Sequence, residues 1–128
     1  MMRNPLAPIS VLVVDDDRDA RAMYRMYLVH AGCKVRTARD GIAAITKAKD
    51  RPPDVIVMDL AMPRLDGWIA SRWLKSSPAT AHIPIIALSA APMAREEARA
   101  AGCDGFLAKP CQPGLLWWEI RALLHRPS

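Results

Sequence analysis

The sequence predicts an α/β domain, a parallel sheet covered by helices on both faces. Three observations carry that expectation. Short runs of β-branched and long apolar residues, too continuous to leave a solvent face, recur along the chain. Between them lie stretches whose apolar residues return at three- and four-residue steps, as an amphipathic helix requires. Strict alternation of the two, five times over with short connections, favours right-handed crossovers and hence parallel strands. A length of 128 residues, 52% of them hydrophobic, suits one domain with a single core.

The first strand is expected over residues 10–16, apolar through Val14 and acidic at Asp15 and Asp16. A helix over 18–31 follows, with Ala20, Met23, Tyr24, Tyr27, Leu28 and Ala31 on one face. Asp16, Asp17 and Asp19 crowd its electropositive end, and Gly32 stops it. Residues 33–38 form the second strand. Asp40 can cap a helix over 41–49 that turns Ala44, Ile45 and Ala48 inward, and Pro52-Pro53 closes that region. The third strand, 55–58, runs into Asp59. Its body is apolar enough to be buried on both faces, so a carboxylate there has no packing rationale. Beyond it a loop with Pro63 and Asp66-Gly67 leads to a third helix over 67–75, with Trp68, Ser71 and Leu74 at helical spacing. The fourth strand, 83–88, tolerates Pro84 only at its start and ends at Ser89. A helix over 93–101 is stopped by Gly102. The fifth strand, 105–108, ends in Lys109-Pro110. Pro113 fits the first turn of the last helix, which runs to 124 with Leu116, Ile120, Leu123 and Leu124 as its stripe. Residues 1–8 read as a loose lead-in, 9–124 as the domain and 125–128 as a tail.

Parallel strands put all their carboxyl ends on one edge, where open α/β sheets hold their ligands. Asp15 and Asp16, Asp59, Ser89 and Lys109 therefore converge although they are far apart in the chain. Three carboxylates in one pocket repel, and a hard divalent cation such as Mg²⁺ relieves that repulsion. With an ammonium and a hydroxyl added, the set suits a phosphoryl group, and a carboxylate can itself be the nucleophile.

The chain resembles the receiver domain of two-component response regulators, of the stand-alone, chemotaxis-regulator-like kind. The matching motifs are Val-Leu-Val-Val-Asp-Asp-Asp (11–17), Asp-Val-Ile-Val-Met-Asp-Leu-Ala-Met-Pro-Arg-Leu-Asp-Gly (54–67), Ile-Ile-Ala-Leu-Ser-Ala (85–90) and Ala-Gly-Cys-Asp-Gly-Phe-Leu-Ala-Lys-Pro (101–110). The resemblance spans residues 9–124 and implies a flavodoxin-like three-layer sandwich with strand order 2-1-3-4-5 and five helices. It implies phosphorylation of Asp59 by a histidine kinase or phosphotransfer protein. Mg²⁺ (or Mn²⁺) would be held by Asp15, Asp16, Asp59 and the Ala61 carbonyl, with Asp15 acting partly through water. Lys109 would bind a phosphoryl oxygen and pair with Asp59 beforehand. Ser89 would contact the phosphoryl group and draw its loop inward, while Phe106 stands at the family's aromatic switch position. Phosphorylation would then switch the surface of the fourth helix, fifth strand and fifth helix for a downstream protein, phosphate relay or a homodimer.

Plainer readings stand beside these. Asp17 is explained as a helix-start charge and Asp66 as part of its turn. Phe106 serves equally as core packing. Trp117 and Trp118 exceed what the last inward stripe needs, so one either lies along a neighbouring element or forms a partner surface; Trp73 poses the same question. Ala61 and Ala91 cannot hold an attacking water, which implies slow self-dephosphorylation. Cys111 stands where the family often carries an aromatic, which implies looser packing after Pro110. His30 and His125, near helix ends, read as dipole partners. Three cysteines without metal spacing read as reduced thiols in a cytoplasmic protein. The net charge of +5 comes from scattered residues without a recognition helix, which argues against direct nucleic-acid binding and leaves room for steering an acidic partner. No apolar run reaches the ~20 residues of a membrane span. Two other functions fit less of the chain. One is a small Mg²⁺-dependent haloacid-dehalogenase-type phosphatase with Asp15 as nucleophile in Asp15-x-Asp17. The other is a receiver-fold binding module that takes no phosphate.

Overall fold

The computed structural model describes residues 7–62, 66–91 and 94–124. The expected lead-in up to residue 6, the tail and His125, Pro63 and Met93 lie outside the described residues. Ten elements alternate: β1 (Ser10–Val14), α1 (Arg18–His30), β2 (Lys34–Ala38), α2 (Gly41–Asp50), β3 (Val55–Asp59), α3 (Gly67–Ser76), β4 (Ile85–Ser89), α4 (Ala94–Ala100), β5 (Gly105–Ala108) and α5 (Pro113–Leu124). The strands form one parallel sheet in the order β2-β1-β3-β4-β5. This is the expected flavodoxin-like architecture.

Strand side chains alternate between two cores. Leu12, Val14, Ile56, Met58, Ile85 and Ala87 face Ala44 and Ala48 of α2, Ala70 and Leu74 of α3, and Ala94 and Ala98 of α4. Val11, Val13, Val55, Val57, Ile86 and Leu88 face Tyr24 and Leu28 of α1 and Leu116 and Ile120 of α5. Two buried faces explain why β1, β3 and β4 carry apolar residues without a polar alternation. Register matches Val14 with Met58 and Asp59 with Leu88, so the strand ends arrive together.

The helices start and stop as their local chemistry requires. Asp17, Asp40 and Asp66 are N-caps, their carboxylates accepting from the N–H groups of Asp19, Ala43 and Ile69. Gly32 and Gly102 follow α1 and α4 at φ of +102° and +96°, a region only glycine enters without strain.

Three expectations shift. β1 ends at Val14, so Asp15 and Asp16 belong to the loop, and β4 begins at Ile85, after Pro84. Met23 and Tyr27 share the α1 stripe by spacing yet are about two-fifths exposed, lining an open groove beside Pro113 at the start of α5, while Tyr24 and Leu28 are buried. Cys111, expected to loosen its turn, is buried among Tyr24, Leu116 and Ile120.

The Tyr24 hydroxyl donates to the Cys111 carbonyl at 3.1 Å, tying α1 to the turn that follows Lys109. Tyr24→Phe leaves that buried carbonyl unpaired. Its expected cost is about 1–3 kcal/mol of stability, read as a lower urea midpoint with an unchanged slope.

Candidate functional site

Asp59 ends β3 with its side chain almost fully buried. Its Oδ1 accepts from the Ala61 N–H at 3.2 Å, and its Oδ2 lies 3.3 Å from Lys109 Nζ. Asp15, also buried, accepts from the Asp17 N–H through Oδ1 at 2.9 Å and from Lys109 Nζ through Oδ2 at 3.1 Å. The Asp15 carbonyl in turn accepts from Arg21 Nη1 of α1 at 2.9 Å, which fixes the start of the acidic loop. Asp16 is exposed and completes a group of three carboxylates whose oxygens lie within 4.8 Å of one another. The Lys109 N–H donates to the Ser89 carbonyl at 2.9 Å, and the Lys109–Pro110 peptide bond is cis. Ser89, buried at the end of β4, accepts through Oγ from the Ala91 N–H at 3.1 Å.

Burial, then the neighbouring Asp15 charge, pushes the Asp59 carboxyl up to about 6, against the opposing pull of the Ala61 N–H and Lys109. Burial alone lowers the Lys109 ammonium, but its hydrogen bond to Asp15 and the charges of Asp15 and Asp59 outweigh that and raise it. Lys109 is therefore a fixed positive charge shared by two buried acids. Three hard oxygen donors with Asp16 open to solvent fit a divalent cation of the Mg²⁺ type. What the arrangement offers chemically is a buried carboxylate oxygen beside a positive charge.

Residues 11–121 match the family described as the response regulator receiver domain. The chain belongs to that family. Pseudomonas aeruginosa protein PilG is 36% identical over 122 residues, covering 94% of this chain and 89% of that one. Response regulator MprA of Mycobacterium sp. (strain KMS) is 39% identical over 123 residues, 94% of this chain and 53% of MprA, so the chain spans about half the length of that relative. Among solved structures, the chemotaxis response regulator CheY4 of Vibrio cholerae superposes with a TM-score of 0.86 at 32% identity, covering 91% of this chain and 99% of that one. The receiver domain of a sensor histidine kinase from Pseudomonas aeruginosa PAO1, described with a magnesium ion coordinated in its active site cleft, has a TM-score of 0.85 at 31% identity and covers 92% of this chain and 98% of that one.

In this receiver Phe106 is half-buried against the α2–α4 core, with the Arg95 guanidinium 5.0 Å from its ring centroid. Ala61 and Ala91 are exposed and present only methyl groups. Trp117 is half-buried beneath Arg121, at 5.1 Å, whereas Trp118 is 57% exposed. Trp73, on α3, is partly covered by Lys49 at 5.3 Å.

Gly67 matters more than its reading as a turn residue suggested. A Cβ there would lie 2.2 Å from the Asp59 carbonyl oxygen and 2.7 Å from Leu60 Cα. The start of α3 thus rests directly on the backbone that carries Asp59. Asp66-Gly67 in the sequence marks a turn; the contact across the loop is a tertiary fact that no local pattern encodes.

Two outcomes follow. Gly67→Ala is expected to displace the end of β3 and to lower the thermal midpoint by several degrees, because the new methyl group meets backbone that cannot give way. Asp59 binds its proton more tightly folded than unfolded, so its ionisation lowers stability as pH rises from about 4 to about 6. In metal-free protein at about pH 7.5, Asp59→Asn should therefore be more stable than the native chain by on the order of 1–3 kcal/mol, the gap closing below about pH 4 in urea titrations.

Proposed function

We propose that this receiver is a phosphoacceptor switch in which Asp59 takes a phosphoryl group from a histidine kinase or phosphotransfer protein. The observation that carries the reading is the placement of the buried Asp59 carboxylate beside Lys109 Nζ and within the three-acid group. An Asp59 oxygen forms the new P–O bond as the P–N bond to the donor histidine breaks, and the imidazole keeps the electron pair of that bond. Lys109 moves its hydrogen bonds from carboxylate to phosphoryl oxygen, and Ser89 Oγ offers a further contact. Asp15, Asp16, Asp59 and the Ala61 carbonyl would hold Mg²⁺ or Mn²⁺, which supplies charge neutralisation for the phosphoryl oxygens. With Asp17 committed to capping α1, the Asp15-x-Asp17 pair lacks the free second acid of a phosphatase nucleophile motif.

The aspartyl-phosphate adds charge and acceptor oxygens that Ser89 and Lys109 meet in one loop arrangement. Ser89 and Phe106 form the switch, and α4, β5 and α5 form the output surface, where Trp118 is available to a downstream protein or a second copy. Among the described residues no disulfide joins the three cysteines, and burial raises the thiols of Cys103 and Cys111, in keeping with a reducing cytoplasm. The unit that performs this is residues 9–124.

Incubation with acetyl phosphate and Mg²⁺, followed by intact mass measurement, is expected to add one phosphate to the native chain and none to Asp59→Asn. Phosphate retained in Asp59→Asn but lost in Asp15→Asn would overturn the assignment. The phosphoform should decay over minutes or longer, because neither Ala61 nor Ala91 positions a water; decay within seconds would contradict that part.

A further inference from the structure

We propose that Tyr24 is a positioning residue for phosphoryl transfer: through the Cys111 carbonyl, its hydroxyl sets where the Lys109 ammonium stands between Asp15 and Asp59. This rests on reading Asp59 as the phosphoacceptor and adds a residue of α1 to the machinery of that site.

Tyr24 is 2% exposed, in the core that α1 and α5 form with the sheet. Packing accounts for its ring, and a phenylalanine would fill the same space. The hydroxyl needs a partner of its own once buried. It donates to the Cys111 carbonyl, 87 residues away in the chain, in a buried bond of 3.1 Å. Cys111 follows Lys109 by two residues, in the turn between β5 and α5. The Lys109 N–H donates to the Ser89 carbonyl at 2.9 Å. The segment that carries the ammonium is thus pinned to β4 at Lys109 itself and to α1 two residues later.

The same helix holds the opposing acid. Arg21, three residues before Tyr24, donates from Nη1 to the Asp15 carbonyl at 2.9 Å. Residues three apart are neighbours on a helix surface. One stretch of α1 therefore fixes main chain on both sides of the 3.1 Å contact between Lys109 Nζ and Asp15 Oδ2. In transfer, Nζ leaves the carboxylates for a phosphoryl oxygen, so its reach depends on where its main chain is held. Misplacing a reacting or stabilising group by about 1 Å can cost on the order of 100-fold in rate. A bond of the same kind far from the site separates positioning from plain stability. Thr80 Oγ1 donates to the Leu74 carbonyl at 2.7 Å, likewise buried, at the end of α3 where β4 is yet to begin.

Tyr24→Phe and Thr80→Val each remove one buried hydroxyl bond and keep the shape of the side chain. Phosphorylation by acetyl phosphate is followed by intact mass at saturating Mg²⁺, well below the thermal midpoint of either variant. Tyr24→Phe is expected to slow it by about fivefold or more, and Thr80→Val to leave it unchanged. Amide hydrogen exchange, read without phosphodonor or metal, is the second measure. In Tyr24→Phe the Lys109 amide should lose more protection than the Ile56 amide, which bonds the Pro84 carbonyl at the start of β3. A native rate in Tyr24→Phe, an equal slowing in Thr80→Val, or an equal loss of protection at Lys109 and Ile56 would overturn the proposal. If the native chain takes no phosphate, the phosphoacceptor reading fails by itself. Selective loss at Lys109 then still upholds Tyr24 as the residue that places the ammonium, and equal loss overturns it.

Discussion

Lys109 Nζ stands between two buried carboxylates, 3.1 Å from Asp15 and 3.3 Å from Asp59, with the exposed Asp16 beside them. One ammonium cannot neutralise three acids, and burial makes the deficit costly. Burial first, and the neighbouring Asp15 charge second, hold the Asp59 carboxyl near 6 instead of in the usual carboxylate range. Asp59 thus favours gaining a proton or a cation, and several contacts hold the acids together.

That restraint is distributed over elements that never touch one another in sequence. Sheet register brings the ends of β1 and β3 side by side. Arg21 holds the Asp15 carbonyl, and Tyr24, one turn further along α1, holds the turn after Lys109. From the other side, Gly67 lets α3 press against the Asp59 backbone. The link to β4, β5 and α4 is equally short. The Lys109 N–H bonds the Ser89 carbonyl, and Phe106 lies three residues before Lys109 beneath Arg95. Asp59 is therefore joined to β4 and β5 through adjoining backbone and to α4 through the Phe106–Arg95 contact.

The architecture was readable because burial on two faces leaves an unmistakable mark: Val55-Ile56-Val57-Met58 admits no solvent side, and acids at the ends of such runs need another explanation. Capping by Asp40 was readable for a local reason, a side-chain oxygen beside unpaired N–H groups, whereas Asp17 read only as a charge at the helix start and proves to be the cap of α1. Periodicity alone could not separate Tyr24 from Met23 and Tyr27 on α1, since which part of an apolar stripe is covered depends on where α5 lies. Nor could it show that Trp117 is sheltered and Trp118 is not, or that Gly67 is fitted against Asp59, because both depend on contacts across the fold. The candidate site was legible as a list of residues; its electrostatic balance, with Lys109 shared by two acids, was not.

If charge crowding around Asp59 is what the site is built on, a divalent cation must compete with a proton for the same carboxylate. Isothermal titration of Mg²⁺ into the native chain at about pH 6, in two buffers of different ionisation enthalpy, counts protons released on binding. The account predicts a clear fractional release that vanishes both in Asp59→Asn and in the native chain at about pH 8. Binding without proton release at about pH 6, or a release that persists in Asp59→Asn, would contradict it.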